Sequence, residues 1–112
     1  MGTKGSKLTQ AATDVCEQVV RDLAPLGDVS RRKMFGGYGI FESAAMFALV
    51  DSQGEVYLKV DDSNRFRFED AGAQRHGRMP YFQVPAEVLA DSDLLADWAK
   101  DSIAIAHASK KK

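Results

Sequence analysis

A chain of 112 residues is long enough for one domain with one ordinary core and too short for two. Its 45% hydrophobic and 28% charged residues are those of a folded globular chain and argue against disorder throughout. The net charge of −1 is uneven: five of the fifteen basic residues (Lys4, Lys7, Lys110, Lys111 and Lys112) lie near the ends, leaving ten against sixteen acidic residues in the body, which counts against the broad basic face that a phosphate backbone requires.

A single cysteine, Cys16, rules out an intramolecular disulfide, and with only His76 and His107 beside it there is no structural zinc set. No apolar run approaches the roughly 20 residues of a membrane span. The basic start, Met1 to Lys7, has no hydrophobic region behind it and is not a signal peptide. The expectation is a cytoplasmic chain with no membrane contact, no metal and no cofactor.

Leu8 to Leu26 has helical periodicity: Leu8, Ala12, Val15, Val19 and Leu23 recur at three- and four-residue steps, with Cys16 and Val20 widening the stripe. Pro25 and Gly27 punctuate its end. Val29 to Phe35 then reads as a strand, followed by a turn over Gly36-Gly37-Tyr38-Gly39 and a short strand at Ile40-Phe41. Ala45 to Val50 is an almost continuous apolar run of strand length. Asp51-Ser52-Gln53-Gly54 makes a hairpin turn, and Glu55 to Val60 alternates, with Val56, Leu58 and Val60 on one face. Asp61-Asp62-Ser63 offers capping groups for a short helix through Ala71, with Phe66 and Ala71 inward and Phe68 flanking them. After a polar loop holding Arg75, His76 and Arg78, Met79 to Val84 reads as a last strand. Pro85 opens a helical turn with Val88 and Leu89, and Asp91-Ser92-Asp93 caps the final helix.

The predicted fold is α+β, a two-layer sandwich in which helices pack an antiparallel sheet, in the order α-β-β-β-β-α-β-α. Residues 1–7 are expected to form a flexible tail, 8–108 the single domain, and 109–112 a basic tail.

None of the chemistry-bearing residues forms a catalytic constellation. Cys16 sits on an apolar helix face without a nearby base and reads as structural. Gly36-Gly37-Tyr38-Gly39 fails both phosphate-loop spacings and precedes a strand, so it reads as backbone geometry. Asp61 and Asp62 are explained by capping. Arg31-Arg32-Lys33 is the densest internal basic cluster, with Arg31 and Lys33 on one strand face and Arg32 on the other. With Lys59 and Tyr57 from a neighbouring strand it would form a basic, partly aromatic patch suited to nucleic acid or an acidic protein, the alternative being a solvated sheet face. Arg65 and Arg67 are within helical reach of Glu69 and Asp70, which points to local ion pairs.

The blocks Arg32-Lys33-Met34-Phe35-Gly36-Gly37-Tyr38-Gly39-Ile40-Phe41, Met46-Phe47-Ala48-Leu49 and Val56-Tyr57-Leu58-Lys59-Val60-Asp61-Asp62 resemble the TfoX N-terminal domain family. Asn64-Arg65, Phe68-Glu69, Ala71-Gly72, Met79 to Pro85 and Leu95 to Ala99 continue the resemblance in order, over roughly residues 15–106. The resemblance implies a two-layer α+β fold and a link to regulators of natural competence, the bacterial uptake of DNA, without catalytic residues. Those regulators carry a separate C-terminal helical domain, which this chain is expected to lack.

The expected function is therefore a non-enzymatic protein-interaction module in transcriptional regulation, with a protein partner, a second copy of the chain being one option. Direct nucleic-acid binding is the alternative. Met34, Phe35, Phe47, Leu49, Leu58, Phe82 and Trp98 read as core. The candidate macromolecule-binding residues are Arg31, Arg32, Lys33, Tyr38, Lys59, Asn64, Arg65 and Tyr81.

Overall fold

A computed structural model describes residues 9–34 and 36–110. The expected N-terminal tail and the Phe35 assignment lie outside those residues. The first helix, α1, spans Gln10–Leu23. Thr9 caps it by accepting the Ala12 N–H at 3.0 Å, and its hydroxyl donates to the Ser52 carbonyl at 2.8 Å. One side chain thus starts the helix and ties it to a distant hairpin. Ala12, Cys16, Val19 and Leu23 form the buried stripe, and a 3-10 turn, Ala24–Leu26, carries the chain past Pro25.

Four strands follow: β1 (Val29–Met34), β2 (Gly37–Glu42), β3 (Ala45–Val50) and β4 (Val56–Lys59). Gly37, Tyr38 and Gly39 belong to β2 and not to a turn: Tyr38 pairs Lys33 on one side and Val50 on the other. A six-residue helix α2 (Arg65–Asp70), a short strand β5 (Tyr81–Gln83), one turn of helix α3 (Ala86–Leu89) and the long helix α4 (Ser92–Lys110) complete the chain. The sheet order is β1-β2-β3-β4-β5, every neighbouring pair antiparallel. The two- to five-residue connections from β1 to β4 permit only antiparallel neighbours, and β5 returns beside β4 after the longer segment that carries α2. β2 and β3 separate β1 from β4, so Lys59 and Tyr57 are not on a strand next to Arg31, Arg32 and Lys33.

The register between β2 and β3 slips once. Ile40 faces Ala48 and Phe41 faces Met46, leaving Phe47 as an extra residue. Phe47 and Ala48 are both fully buried, as a bulge allows for consecutive residues. α1 and α4 cover this side of the sheet.

Phe68, not Phe66, is the inward phenylalanine of α2: Phe68 is 0% exposed and Phe66 67%. Asn64 sets the phase. Its buried amide accepts the Asp61 N–H at 2.9 Å and donates to the Lys59 carbonyl at 3.2 Å, so the residue four positions later also turns inward. Phe68 meets the Trp98 ring edge-on at 4.8 Å and Phe82 at 5.9 Å. Ala71 is exposed. Asp61 does not cap α2; its carboxylate accepts the Ser63 N–H and hydroxyl at 2.8 and 2.6 Å and closes the preceding turn. In α4, Leu95, Ala99, Ser102 and Ala106 face inward and Leu94 does not. Asp91 caps this helix through the N–H groups of Asp93 and Leu94. Met34 and Leu49, expected in the core, lie on the other side of the sheet.

Glu42, at the end of β2, joins three segments. Its carboxylate accepts the Asp28 N–H at 2.9 Å, the Ser43 hydroxyl at 3.2 Å and a 2.6 Å bond from His107 Nε2 on α4. These partners, the Asp28 N–H foremost and His107 next, hold the carboxyl below its ordinary value of 4.5.

Two outcomes follow for stability. Phe68→Ala should cost about 3–5 kcal/mol in urea unfolding, whereas Phe66→Ala should change it by less than about 0.5 kcal/mol. Because Glu42 is stabilised as the anion, its contribution is complete above the ordinary carboxylate value and is lost as pH falls through the lowered one. A pH series of unfolding curves should show that acid loss in the native chain and a flatter profile in Glu42→Gln.

Candidate macromolecule-binding face

Alternation divides the candidate residues between the two sides of the sheet. Arg31, Lys33 and Tyr38 point to the helix side. Arg31 pairs Glu17 of α1 at 3.4 Å and lies 5.1 Å above the Tyr38 ring. The Tyr38 hydroxyl sits 3.2 Å from that of Thr13. These two form a buttress between the edge strand and α1. Cys16 lies beneath it, its thiol pushed up by burial, as a packing residue.

Arg65 is engaged by Asp62 and Glu69. Asn64 is 1% exposed with its amide bonded to the backbone. Arg67 reaches across to Asp97 and Asp101 of α4, at 3.6 and 3.8 Å, and stacks on Trp98. It does not pair Asp70 on its own helix. Arg75 is turned back onto its own loop, donating to the Met79 and Arg78 carbonyls at 3.1 and 3.0 Å.

Lys33 is exposed on the helix side with no carboxylate partner among the described residues. Arg32, Lys59 and Tyr81 lie on the side away from α1 and α4. Arg32 lies 5.1 Å above the Phe41 ring, and Lys59 lies 5.4 Å above the Tyr81 ring. Neither has a carboxylate partner among the described residues. Tyr81 is itself 3% exposed; its hydroxyl donates to the Met46 carbonyl at 3.3 Å, and burial pushes its pKa up to about 12.

Between these cations the open face is largely apolar, with Asp51 and Ser52 also lining its groove. Met34, Met46 and Leu49 rise from the strands, and His76 and Met79 border them from the loop after α2, around a groove of ≈ 250 Å³. Gly39 lies beneath two of these methionines. A Cβ there would lie 2.7 Å from the Met34 sulfur, 2.8 Å from the Met46 sulfur and 3.2 Å from the Phe41 ring. The glycine is what lets two thioethers close over the strand. The His76 ring meets Tyr57 edge-on at 4.5 Å, with its Nδ1 buried and unbonded. The Tyr57 hydroxyl donates to Asp51 at 3.3 Å.

Flexible methionines on an open sheet face give adaptable, low-directionality contact with another surface. Among the described residues, no group of three His, Cys, Asp or Glu is placed to hold a metal ion. No helix there is long and apolar enough to cross a membrane. Composition exposes the cations of this face but not its apolar centre. The available signal was parity: Met34 shares a face with Arg32, and Leu49 lies opposite Ala48 and Val50.

The face should tolerate small changes at Gly39. In Gly39→Ala the displaced sulfurs are chain ends and the backbone gains stiffness, so unfolding free energy should stay within about 1 kcal/mol of the native value. The methyl resonances of Met34 and Met46 should nonetheless move in carbon-proton NMR spectra. Unmoved resonances would disprove the closure over Gly39.

A family model, the TfoX N-terminal domain, matches residues 21–106. A stretch of 50 residues is 42% identical to DNA transformation protein TfoX1 of Aliivibrio fischeri, covering 45% of this chain and 23% of that protein. The matched segment is thus less than a quarter of the relative's length.

Proposed function

The chain belongs to the TfoX N-terminal domain family, and on that premise we propose that it works without catalysis, as a protein-interaction module in transcriptional regulation of the competence type. The relative's name, DNA transformation protein, supports the direction of this reading. The open face carries it: Met34, Met46, Leu49 and Met79 form an apolar centre that neither α1 nor α4 covers. Met79 is exposed and the other three are half-buried, and an interface is built with such an apolar middle and a polar rim.

Nucleic acid is the second reading, because Arg32 and Lys59 stand on that face without carboxylate partners. The lining favours protein. Base stacking needs free aromatic faces, and here a cation lies over both Phe41 and Tyr81. Arg31 and Arg65, two further members of the basic set, already hold carboxylates.

Two measurements separate the readings. In the native host, transcripts of DNA-uptake genes should change on deletion of this gene and be restored by the native chain, but not by Leu49→Asp. Fluorescence anisotropy with labelled duplex and single-stranded DNA should show no saturable binding at low salt, where electrostatic attraction is least screened. Binding that weakens with salt and with Arg32 and Lys59 neutralised would move nucleic acid ahead.

A further inference from the structure

Among the described residues, two apolar features stand open and fit each other. One is the methionine groove. The other is Phe66, which at 67% has the most exposed large hydrophobic side chain of the described residues. We infer that the groove receives Phe66 of a second copy, so that the face proposed above for protein contact is a self-association surface. This inference rests on that reading.

Size is the first argument. A closed apolar cavity of about 150 Å³ takes a benzene ring, and the groove offers ≈ 250 Å³. Its lining is suited to a ring, since thioether sulfur packs favourably at an aromatic edge. Charge is the second. Asp70 follows Phe66 by four residues on α2, and no hydrogen bond or ion pair engages it among the described residues. Arg32 precedes Met34 by two residues on β1 and has only the Phe41 ring.

Spacing is the third. Residues four apart on a helix present side chains about 5–6 Å apart. Residues two apart on a strand are about 6.6–6.8 Å apart. A ring placed beside Met34 therefore brings the carboxylate of Asp70 to the guanidinium of Arg32. The knob is apolar with an anion beside it. The groove has Arg32 next to Met34, and the one acidic residue in its lining, Asp51, already accepts from the Gln53 and Glu55 N–H groups and the Tyr57 hydroxyl. Knob and groove belong to one chain, so the contact either closes reciprocally across a two-fold axis or repeats head to tail.

Sedimentation velocity over a concentration series of the full chain tests this. The native chain should associate, and Phe66→Ser should weaken association roughly ten- to a hundredfold. That position is exposed, so folding should be preserved, with circular dichroism as the check. R32E and D70R should each weaken association alone and recover it when mixed in equal amounts. In the mixture, the groove of each variant meets a knob of opposite charge, a rescue that a structural defect would not give.

A native chain that stays monomeric overturns the inference, as does association indifferent to Phe66→Ser or a mixture that recovers nothing. If the chain is monomeric while Leu49→Asp still abolishes the transcriptional effect, the face serves a different protein: the inference fails and the proposed function stands. If neither association nor a transcriptional effect of Leu49→Asp is found, both fail.

Discussion

The bulge at Phe47 governs the layout of this protein. A regular strand would send Phe47 and Ala48 to opposite sides, yet both are fully buried beneath the helices. The slipped pairing with Ile40 and Phe41 absorbs the extra residue. On the far side of β3 this leaves Met46 and Leu49, three positions apart, with Gly39 beneath the first of them on the neighbouring strand. The groove is thus a by-product of how the central strand fills its core. A small local irregularity decides which apolar side chains the helices cover and which stay outside.

The helix side is held by interactions that leave little chemistry available. Lys59 contributes its carbonyl to both Asn64 and Ser102, at 3.2 and 2.7 Å, which joins β4 to α2 and α4 at one oxygen. Arg31 and Tyr38 brace the edge strand against α1, and Arg67 fastens α2 to α4 through Trp98 and two aspartates. Side chains that looked like surface chemistry in the sequence are in these cases structural. Arg32 and Lys59 differ because β1 and β4 turn them to the uncovered side, where no acidic helix is within reach.

The legible parts of the fold were those with a clean period. The alternation of Val56, Leu58 and Val60, the stripe of α1, and the turn at Gly54, whose φ is +87°, all carry through to the structure. Less legible were places where long-range pairing sets the outcome. Gly37 and Gly39 have the composition of a turn but lie within β2, since both neighbouring strands hydrogen-bond it. Phe66 and Phe68 are equally apolar, and only the buried amide of Asn64, fixed by the end of β4, selects between them. Ala45 to Val50 is apolar at every position, so its pattern does not say which face is covered. Of the candidate site, the cations were visible in composition. The methionines were not, because Met34, Met46 and Met79 lie far apart in the chain and converge only across the sheet.

The unbroken strand order has a bearing on how quickly the protein forms. Each strand pairs with its immediate neighbours along the chain, so β1 to β4 join by short loop closures and β5 by a longer one through α2, at an entropy cost that rises only slowly with length. Sheets assembled from such local steps belong to the faster class of β-containing folds. The late exception is the docking of α1 beside α4, which brings together segments from opposite ends of the sequence. The helices thus seal one side of the sheet through a contact between the two ends of the chain, while the sulfur-lined side takes no part in that closure.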